Sequence, residues 1–348
     1  MFAKHRLMRN EKKELIYLTL DDSLFLKGVA ILLVLFHHLF YKQYGLYDDF
    51  SIGSFNVVQS VSYQTMFSIS IFAFITAYGL TSQAKKTELN LKSFYLKRLV
   101  KLYMNYWLVF LIFVPIGVFV FNRSLASVYG DYLYAKFLAD FFGVINVVGL
   151  YGYNVTWWYI SAAIVLYLSF PFLYWLSTKK IWLPLLVAVV IFSIHHMSTF
   201  TVRMLFPVFS LGIFLNKYPF PKKGNAFIWG LLLVLAFVTR FFIKGYTLPI
   251  LFDSVLAILA IVFFKQLSVP NLIQRVLSYV GKHSMNIFLF HTFIYLYWFR
   301  DFVYASRCPV FIFATLLLSC LLLSVLFEKL KELLKFDAFV SKLTKRLL

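Results

Sequence analysis

Two histidines and one lysine share the first long apolar segment of the chain, LKGVAILLVLFHHLF, residues 26–40. Ionisable side chains inside a membrane span are costly and are therefore candidates for function. Lys27 and His38 are eleven residues apart, so on an α-helix they lie within about 20° of one face and about 16 Å apart along the axis. A lysine can bind an anion, and an imidazole can act as a general base or a nucleophile. His37 points about a quarter-turn away and is predicted not to share this face.

A purely structural interpretation of the same residues is also open. Lys27 would then extend to the membrane interface, and His38 would pack among its neighbours or at the opposite interface. Two other ionisable residues fall inside apolar segments: Asp253, and His291 in NIFLFHTFIY. We expect His291 to orient His38, to bind an acceptor or only to pack, and Asp253 to orient a base only if the fold brings it close.

A basic cluster precedes the third apolar segment, in FYLKRLVKLYMNYW, residues 94–107. Lys97, Arg98 and Lys101 gather their charge on one side of a helix because their spacing is about one turn. Arginine offers a two-pronged donor to phosphate and lysine a point charge, so a phosphate site is one interpretation. The other is that these residues only anchor the helix, because positive charge usually flanks membrane spans on the cytoplasmic side.

The elements that must position these residues are predicted to be membrane helices. Of the 348 residues, 61% are hydrophobic and only 14% are charged, and apolar runs long enough to span a bilayer recur along the chain. We predict an all-α, polytopic membrane protein with a single integral-membrane domain, 1–348, and cytoplasmic tails at 1–23 and 328–348. About ten spans are predicted, near residues 24–41, 59–80, 102–121, 157–176, 181–196, 202–216, 225–243, 248–265, 284–299 and 309–327.

The distribution of positive charge selects the topology. The net charge is +20. With ten spans and both termini cytoplasmic, about three-quarters of the 34 Lys and Arg residues lie on the cytoplasmic side. If the ambiguous segment 135–150 also spans, they divide about evenly. We therefore predict that 135–150 is re-entrant or interfacial. The positive charge is then explained by helix orientation and contact with anionic lipid, so no nucleic-acid partner is expected.

Taken together, these segments resemble the acyltransferase-3 family, membrane-bound O-acetyltransferases of bacterial surface glycans. LKGVAILLVLFHHLF resembles the family's opening helix, in which a basic residue, more often Arg, precedes an essential histidine by eleven positions; here these are Lys27 and His38. KRLVKLYMNYW resembles the basic motif before the third helix, with Arg98 and Lys101 as the best matches. LSYVGKHSMNIFLFHTF resembles the element near the C-terminus that places His291 on the family pattern.

Two further motifs match with departures. IFAFITAYGL resembles the second-helix element usually written with Ser-Gly before the tyrosine, here Tyr78, and Thr76-Ala77 replaces that pair. TWWYISAAIVLYLSFP resembles a later helix led by Trp, which makes Trp158 a secondary candidate. Many members carry a Glu in this helix, whereas Ala163 stands near that place.

The resemblance implies transfer of an acetyl group from cytoplasmic acetyl-CoA to a hydroxyl of an extracytoplasmic glycan, without a metal. Lys27, Lys97, Arg98 and Lys101 would bind the donor's phosphates, and His38 would act as base or as acetyl carrier. The acceptor would be capsule, lipopolysaccharide or exopolysaccharide, the location the bacterial cytoplasmic (inner) membrane, and the other partners membrane lipid and, in a homo-oligomer, a second copy. The rival hypotheses are a secondary transporter or lipid-linked glycan flippase without acyl transfer, and a non-catalytic partner in a glycan-assembly complex.

Overall fold

The computed structural model describes residues 18–42, 45–193, 203–218, 225–244 and 247–348. Within these ranges nearly all regular structure is helical, and the exception is a short antiparallel hairpin of β1 (Ser51–Ile52) and β2 (Phe55–Asn56). The all-α class predicted from the sequence is therefore confirmed. Most of the predicted N-terminal tail, 1–23, lies outside the described residues.

The helices range from single turns to segments that can cross a bilayer. In chain order, the described helices are α1 (Leu20–Phe40), α2 (Val57–Gln64), α3 (Ser68–Ala84), α4 (Leu91–Phe119), α5 (Leu125–Tyr129), α6 (Leu133–Phe141), α7 (Trp158–Lys179), α8 (Leu183–Ser193), α9 (Phe206–Leu215), α10 (Ala226–Phe242), α11 (Thr247–Gln266), α12 (Asn271–Thr292), α13 (Arg300–Tyr304), α14 (Pro309–Leu333) and α15 (Phe336–Leu347). A π-helix, Phe293–Trp298, continues α12, and 3₁₀ turns cover Thr65–Phe67, Ile145–Val148 and Val155–Trp157.

Six helical segments of the described chain are long and apolar enough to cross a membrane: Leu20–Phe40, Val57–Ala84, Leu91–Phe119, Val155–Lys179, Leu248–Gln266 and Pro309–Leu333. Three further predicted spans correspond to α8, α9 and α10, which are apolar but shorter, with 11, 10 and 17 described residues. The span predicted at 284–299 is the second half of α12 and its π-helical extension. The fold thus supports a multi-pass membrane protein, whereas about ten spans and two cytoplasmic termini stay predictions.

Exposed apolar side chains on the outside of the bundle fit this environment. On α4, Leu111 and Phe119 are 60% and 82% exposed, and on α14 both Leu318 and Leu322 are 64% exposed. Large apolar surfaces of this kind mark contact with a membrane or another protein. Buried polar groups such as Arg240 and Asp253 meet partners inside the bundle.

Segment 135–150 is folded compactly and is too short to cross the bilayer as a helix. It begins within α6, a helix of only nine residues. A turn at Gly143 with φ +66° and a 3₁₀ turn follow. The buried carboxylate of Asp140 holds it, accepting from the Tyr129 hydroxyl at 2.7 Å and the Tyr153 backbone N–H at 2.5 Å. Burial raises the pKa of the Asp140 carboxyl above its ordinary value, and these two hydrogen bonds oppose the rise.

Helices α1 and α12 cross at two glycines with their backbones in direct contact. A Cβ atom on Gly28 would overlap the Leu277 carbonyl, and a Cβ on Gly281 would overlap that of Leu24. Small residues allow helices in membranes to approach this closely. The two helices run in the same direction, since ten residues beyond each glycine His38 again lies beside His291. The crossing therefore sets the relative depth of these two histidines.

The first turn of α1 is fixed separately. The Asp22 carboxylate accepts from the Thr19 backbone N–H at 2.8 Å, and the Thr19 hydroxyl accepts from the Asp22 N–H at 3.1 Å, which forms a capping box. Asp22 also forms an ion pair with Lys265 of α11. The start of α1 is thereby tied to α11, five residues before Lys27.

Candidate active site

His38 and His291 form a pair of imidazoles between α1 and α12. Their ring centroids are 5.1 Å apart, and His291 stacks on Tyr295 at 5.9 Å with an angle of 13° between the rings. Tyr295 belongs to the π-helix that follows α12. Single π-helical turns inside longer helices are frequent at functional sites.

The tautomer of His291 follows from its hydrogen bonds. Its Nδ1 lies 3.0 Å from the carbonyl oxygens of both Ile287 and Phe288. A carbonyl oxygen can only accept, so Nδ1 carries the proton and Nε2 of the neutral ring is an acceptor. His38, in contrast, makes ring contacts but no hydrogen bond to a described residue, and its ring borders a cavity. Its nitrogens are therefore available to a bound molecule.

The cavity beside His38 has a volume of about 330 Å³, and we call it the His38 cavity. Aromatic side chains form much of its wall, namely Tyr41, Tyr63 and Trp158, and Arg240 also borders it. Such a mixture of aromatic faces and a few polar groups is typical of small-molecule sites. Trp158, a secondary candidate from the sequence, thus lies in the same cavity as His38.

His37 also borders the His38 cavity, although the helical spacing predicted a different face. Its Nδ1 donates to the Ser62 carbonyl at 2.8 Å, and its ring stacks on Tyr41 at 4.9 Å. The two side chains leave α1 about a quarter-turn apart, but both rings border the same cavity. The hydrogen bond to Ser62 fixes His37, whereas His38 makes no hydrogen bond within the described part of the chain.

Lys27 borders a second cavity of about 160 Å³, the Lys27 cavity, together with Thr76, Tyr167 and Ser284. Phe288 borders both this cavity and the His38 cavity. Its ring is 5.3 Å from that of Tyr159 and 5.9 Å from that of His291, measured between centroids. Lys27 and His38 therefore border neighbouring cavities whose walls share the Phe288 side chain.

Further from His38, basic side chains surround two larger cavities. One, of about 590 Å³, is bordered by Lys27, Tyr78, Lys86 and Arg98. The other, of about 490 Å³, shares Arg98 with it and adds Lys97, Lys101 and one acidic residue, Glu88. Arg98 is held in place by a hydrogen bond from Nη2 to the Gln83 side chain.

The structure thus brings the predicted residues together in two groups. Lys27, Tyr78, Lys97, Arg98 and Lys101 surround the basic cavities, and Lys27 is close enough to Arg98 and Lys101 for their charges to repel. His38 and Trp158 border the His38 cavity, and His291 contacts the His38 ring from behind it at 5.1 Å between centroids.

Asp253 is connected to the second group through Arg240, its ion-pair partner at 2.8 Å. Among the described residues, Asp253 has no hydrogen bond to His38 or His291.

Sequence reasoning missed three residues that border the cavities: Tyr63, Arg240 and Phe288. Arg240 falls near the end of the predicted span 225–243 but was not among the candidates predicted from the sequence; it is 1% exposed and lies within α10. One signal was available, because Arg240 and Asp253 are opposite charges in adjacent apolar segments and each needs compensation there. Phe288 carries no comparable signal, since in the sequence a phenylalanine in an apolar helix is indistinguishable from an ordinary packed residue.

The fold and the site define a class of protein: a multi-pass membrane protein with two contacting imidazoles beside an aromatic-walled cavity. The model of the acyltransferase-3 family, described as an acyltransferase domain, matches residues 21–329. The chain is therefore a member of that family, as the sequence motifs predicted, and an acyltransferase of the membrane. No curated protein and no solved structure matches it significantly.

Proposed function

We propose that the protein transfers an acetyl group from acetyl-CoA, bound from the cytoplasm, to a hydroxyl of a cell-surface glycan outside the bacterial cytoplasmic membrane. The observation that carries this proposal is the position of His38. Its ring borders a cavity with aromatic walls that shares Phe288 with the Lys27 cavity, and Lys27 in turn borders a basic cavity with Arg98.

The basic cavities suit the donor. Coenzyme A carries several phosphates, and Arg98 with Lys97 and Lys101 provides charge-assisted donors around one compartment. Lys27 and Lys86 add positive charge to the next compartment, which adjoins the Lys27 cavity. The pantetheine arm would extend through the Lys27 cavity, along the roughly 16 Å of helix rise between Lys27 and His38.

His38 would perform the proton transfer. The acceptor hydroxyl oxygen attacks the thioester carbonyl carbon while His38 takes its proton. The carbon–sulfur bond then breaks, and the leaving thiolate receives the proton from the imidazolium. In the alternative route, a nitrogen of His38 attacks the thioester carbonyl carbon, the carbon–sulfur bond breaks, and the thiolate leaves with the ring proton. The acceptor hydroxyl then displaces the acetyl group from His38, and the hydroxyl proton returns to the imidazole. Both routes use the same residues, and the geometry supports either.

His291 would orient His38. Its Nδ1 proton is committed to two backbone carbonyls, so Nε2 is the acceptor nitrogen; the Thr292 hydroxyl lies 3.5 Å from it, and the His38 ring contacts the same imidazole. Such an acceptor beside His38 favours one tautomer and leaves the other nitrogen of His38 as the base. Tyr41, Tyr63 and Trp158 offer aromatic faces to the acceptor sugar.

Acetyl transfer by purified protein in liposomes tests the proposal directly. We expect labelled acetyl to move from acetyl-CoA to glycan extracted from the source cells, and His38→Ala to reduce the rate at least about 100-fold. His283→Ala is the matched control, because this histidine of α12 binds Ser324 at 2.8 Å and borders none of these cavities. Retained activity in His38→Ala would overturn the assignment, and loss only in His37→Ala would move the base by one residue. A transporter or a non-catalytic partner would transfer no acetyl.

A further inference from the structure

Arg240 is a buried cation in the wall of the His38 cavity. It lies in α10 with 1% of its surface exposed, and its Nε donates to Oδ1 of Asp253 in α11 at 2.8 Å. The guanidinium carbon lies 5.6 Å from the ring centroid of Tyr63, which borders the same cavity. Nothing in the mechanism proposed above uses this ion pair.

One end of the guanidinium is left unsatisfied. Nη2 of Arg240 is buried and has no hydrogen-bond partner among the described residues. A guanidinium carries five N–H donors, and a buried donor without an acceptor is costly. A purely structural ion pair between α10 and α11 accounts for the bond to Asp253 but not for the unpartnered nitrogen beside an open cavity.

We propose that Arg240 binds the acceptor, with Nη2 donating to an uncharged sugar oxygen in the His38 cavity. This inference rests on the proposed function and identifies how its acceptor is held. Tyr41, Tyr63 and Trp158 supply the aromatic faces against which a sugar ring packs, and Arg240 supplies the directional donor.

The charge of the acceptor group follows from Asp253. The Asp253 carboxylate already neutralises the guanidinium at 2.8 Å, and both side chains are nearly inaccessible. A hydroxyl, ring or amide oxygen satisfies Nη2 and leaves the pair neutral. A carboxylate or phosphate at the same place would add a net negative charge to a site within the membrane, which is costly.

The sharpest test separates acceptor binding from donor binding in the purified, full-length protein. The probe is glycan extracted from the source cells, and the acetyl-CoA and glycan KM values are measured independently. We expect the double variant Arg240→Gln/Asp253→Asn, which leaves no unpaired charge, to raise the KM for the glycan at least tenfold. Its KM for acetyl-CoA should stay within twofold of wild type.

The ion pair between Lys265 and Asp22 provides a matched control. It also joins α11 to another helix, but its residues border neither the His38 cavity nor the Lys27 cavity. Lys265→Gln/Asp22→Asn should leave both KM values unchanged. An unchanged glycan KM in the Arg240 double variant overturns the inference, as does an equal rise in the Lys265 double variant.

The single variant Asp253→Asn tests the charge of the acceptor. It leaves Arg240 with an uncompensated positive charge and without its orienting partner. With an uncharged sugar oxygen at Nη2, the KM for the glycan should rise, whereas an anionic acceptor would bind more tightly and lower it. A lower KM therefore overturns the neutral assignment. If the wild-type protein transfers no acetyl to the glycan at all, it is the proposed function that fails.

Discussion

Replacing Phe288 with alanine should join the Lys27 cavity to the His38 cavity. The Phe288 ring borders both compartments, of about 160 and 330 Å³, and is 5% exposed. Replacing a buried phenylalanine with alanine costs about 3–5 kcal/mol of stability. Because open space already exists on both sides of this ring, we expect about 3 kcal/mol here. The variant should therefore still fold, but with a lower melting temperature.

The functional effect should be a loss of coupling between donor and acceptor. With the ring absent, water in the His38 cavity gains access to the thioester. We expect Phe288→Ala to release coenzyme A at least about tenfold faster than wild type when no glycan is present. A tenfold faster release corresponds to an activation free energy of hydrolysis lower by about 1.4 kcal/mol. Admitting water to a thioester that was protected from it is expected to have at least this effect. Release of the free thiol is followed with a thiol-reactive dye, and acetylated glycan is counted in parallel.

Phe290→Ala is the matched control for this experiment. Phe290 is on the same helix, is fully buried and stacks on Phe113 at 5.6 Å, but borders neither of the two cavities. Its removal should cost similar stability without raising thiol release. If both variants release coenzyme A at the same rate, Phe288 does not separate the compartments and the reasoning is refuted.

Three further expectations concern the crossing, the basic cavities and segment 135–150. Gly281→Ala should lower stability by about 1–3 kcal/mol because the new methyl group overlaps the facing backbone. Gly79→Ala is the control, since a methyl group there meets open space and should leave stability unchanged. Equal melting temperatures of the two variants would contradict this expectation. Arg98→Ala should raise the KM for acetyl-CoA about tenfold, and an unchanged KM would remove Arg98 from the donor site. Asp140→Ala leaves two buried donors without their acceptor and should lower the free energy of unfolding by about 2 kcal/mol, measured by thermal unfolding. Asp131→Ala, on the surface, should lower it by no more than about 0.5 kcal/mol.

Much of the candidate site could be predicted because it depends on spacing within one helix. Lys27 and His38 are related by helical geometry alone, and Lys97, Arg98 and Lys101 are neighbours on α4. Their relative positions follow from the chain's local structure, and so does the family membership that the motifs carry.

Contacts between distant helices could not be predicted in the same way. The proximity of His38 to His291 depends on the glycine crossing of α1 and α12, and the pairing of Arg240 with Asp253 depends on α10 and α11 lying side by side. A single sequence shows that such residues need partners in a membrane, but not which partners they find.

The glycine crossing of α1 and α12 also determines when the site comes into existence during synthesis. His38 leaves the ribosome some 250 residues before His291. A nascent or truncated chain that ends before Asn271 therefore inserts its first histidine helix without an imidazole pair. Because of the same separation, two fragments obtained by dividing the chain between α9 and α10 would each carry one histidine helix. Such fragments would report on their own assembly, as acetyl transfer would require both of them in one membrane.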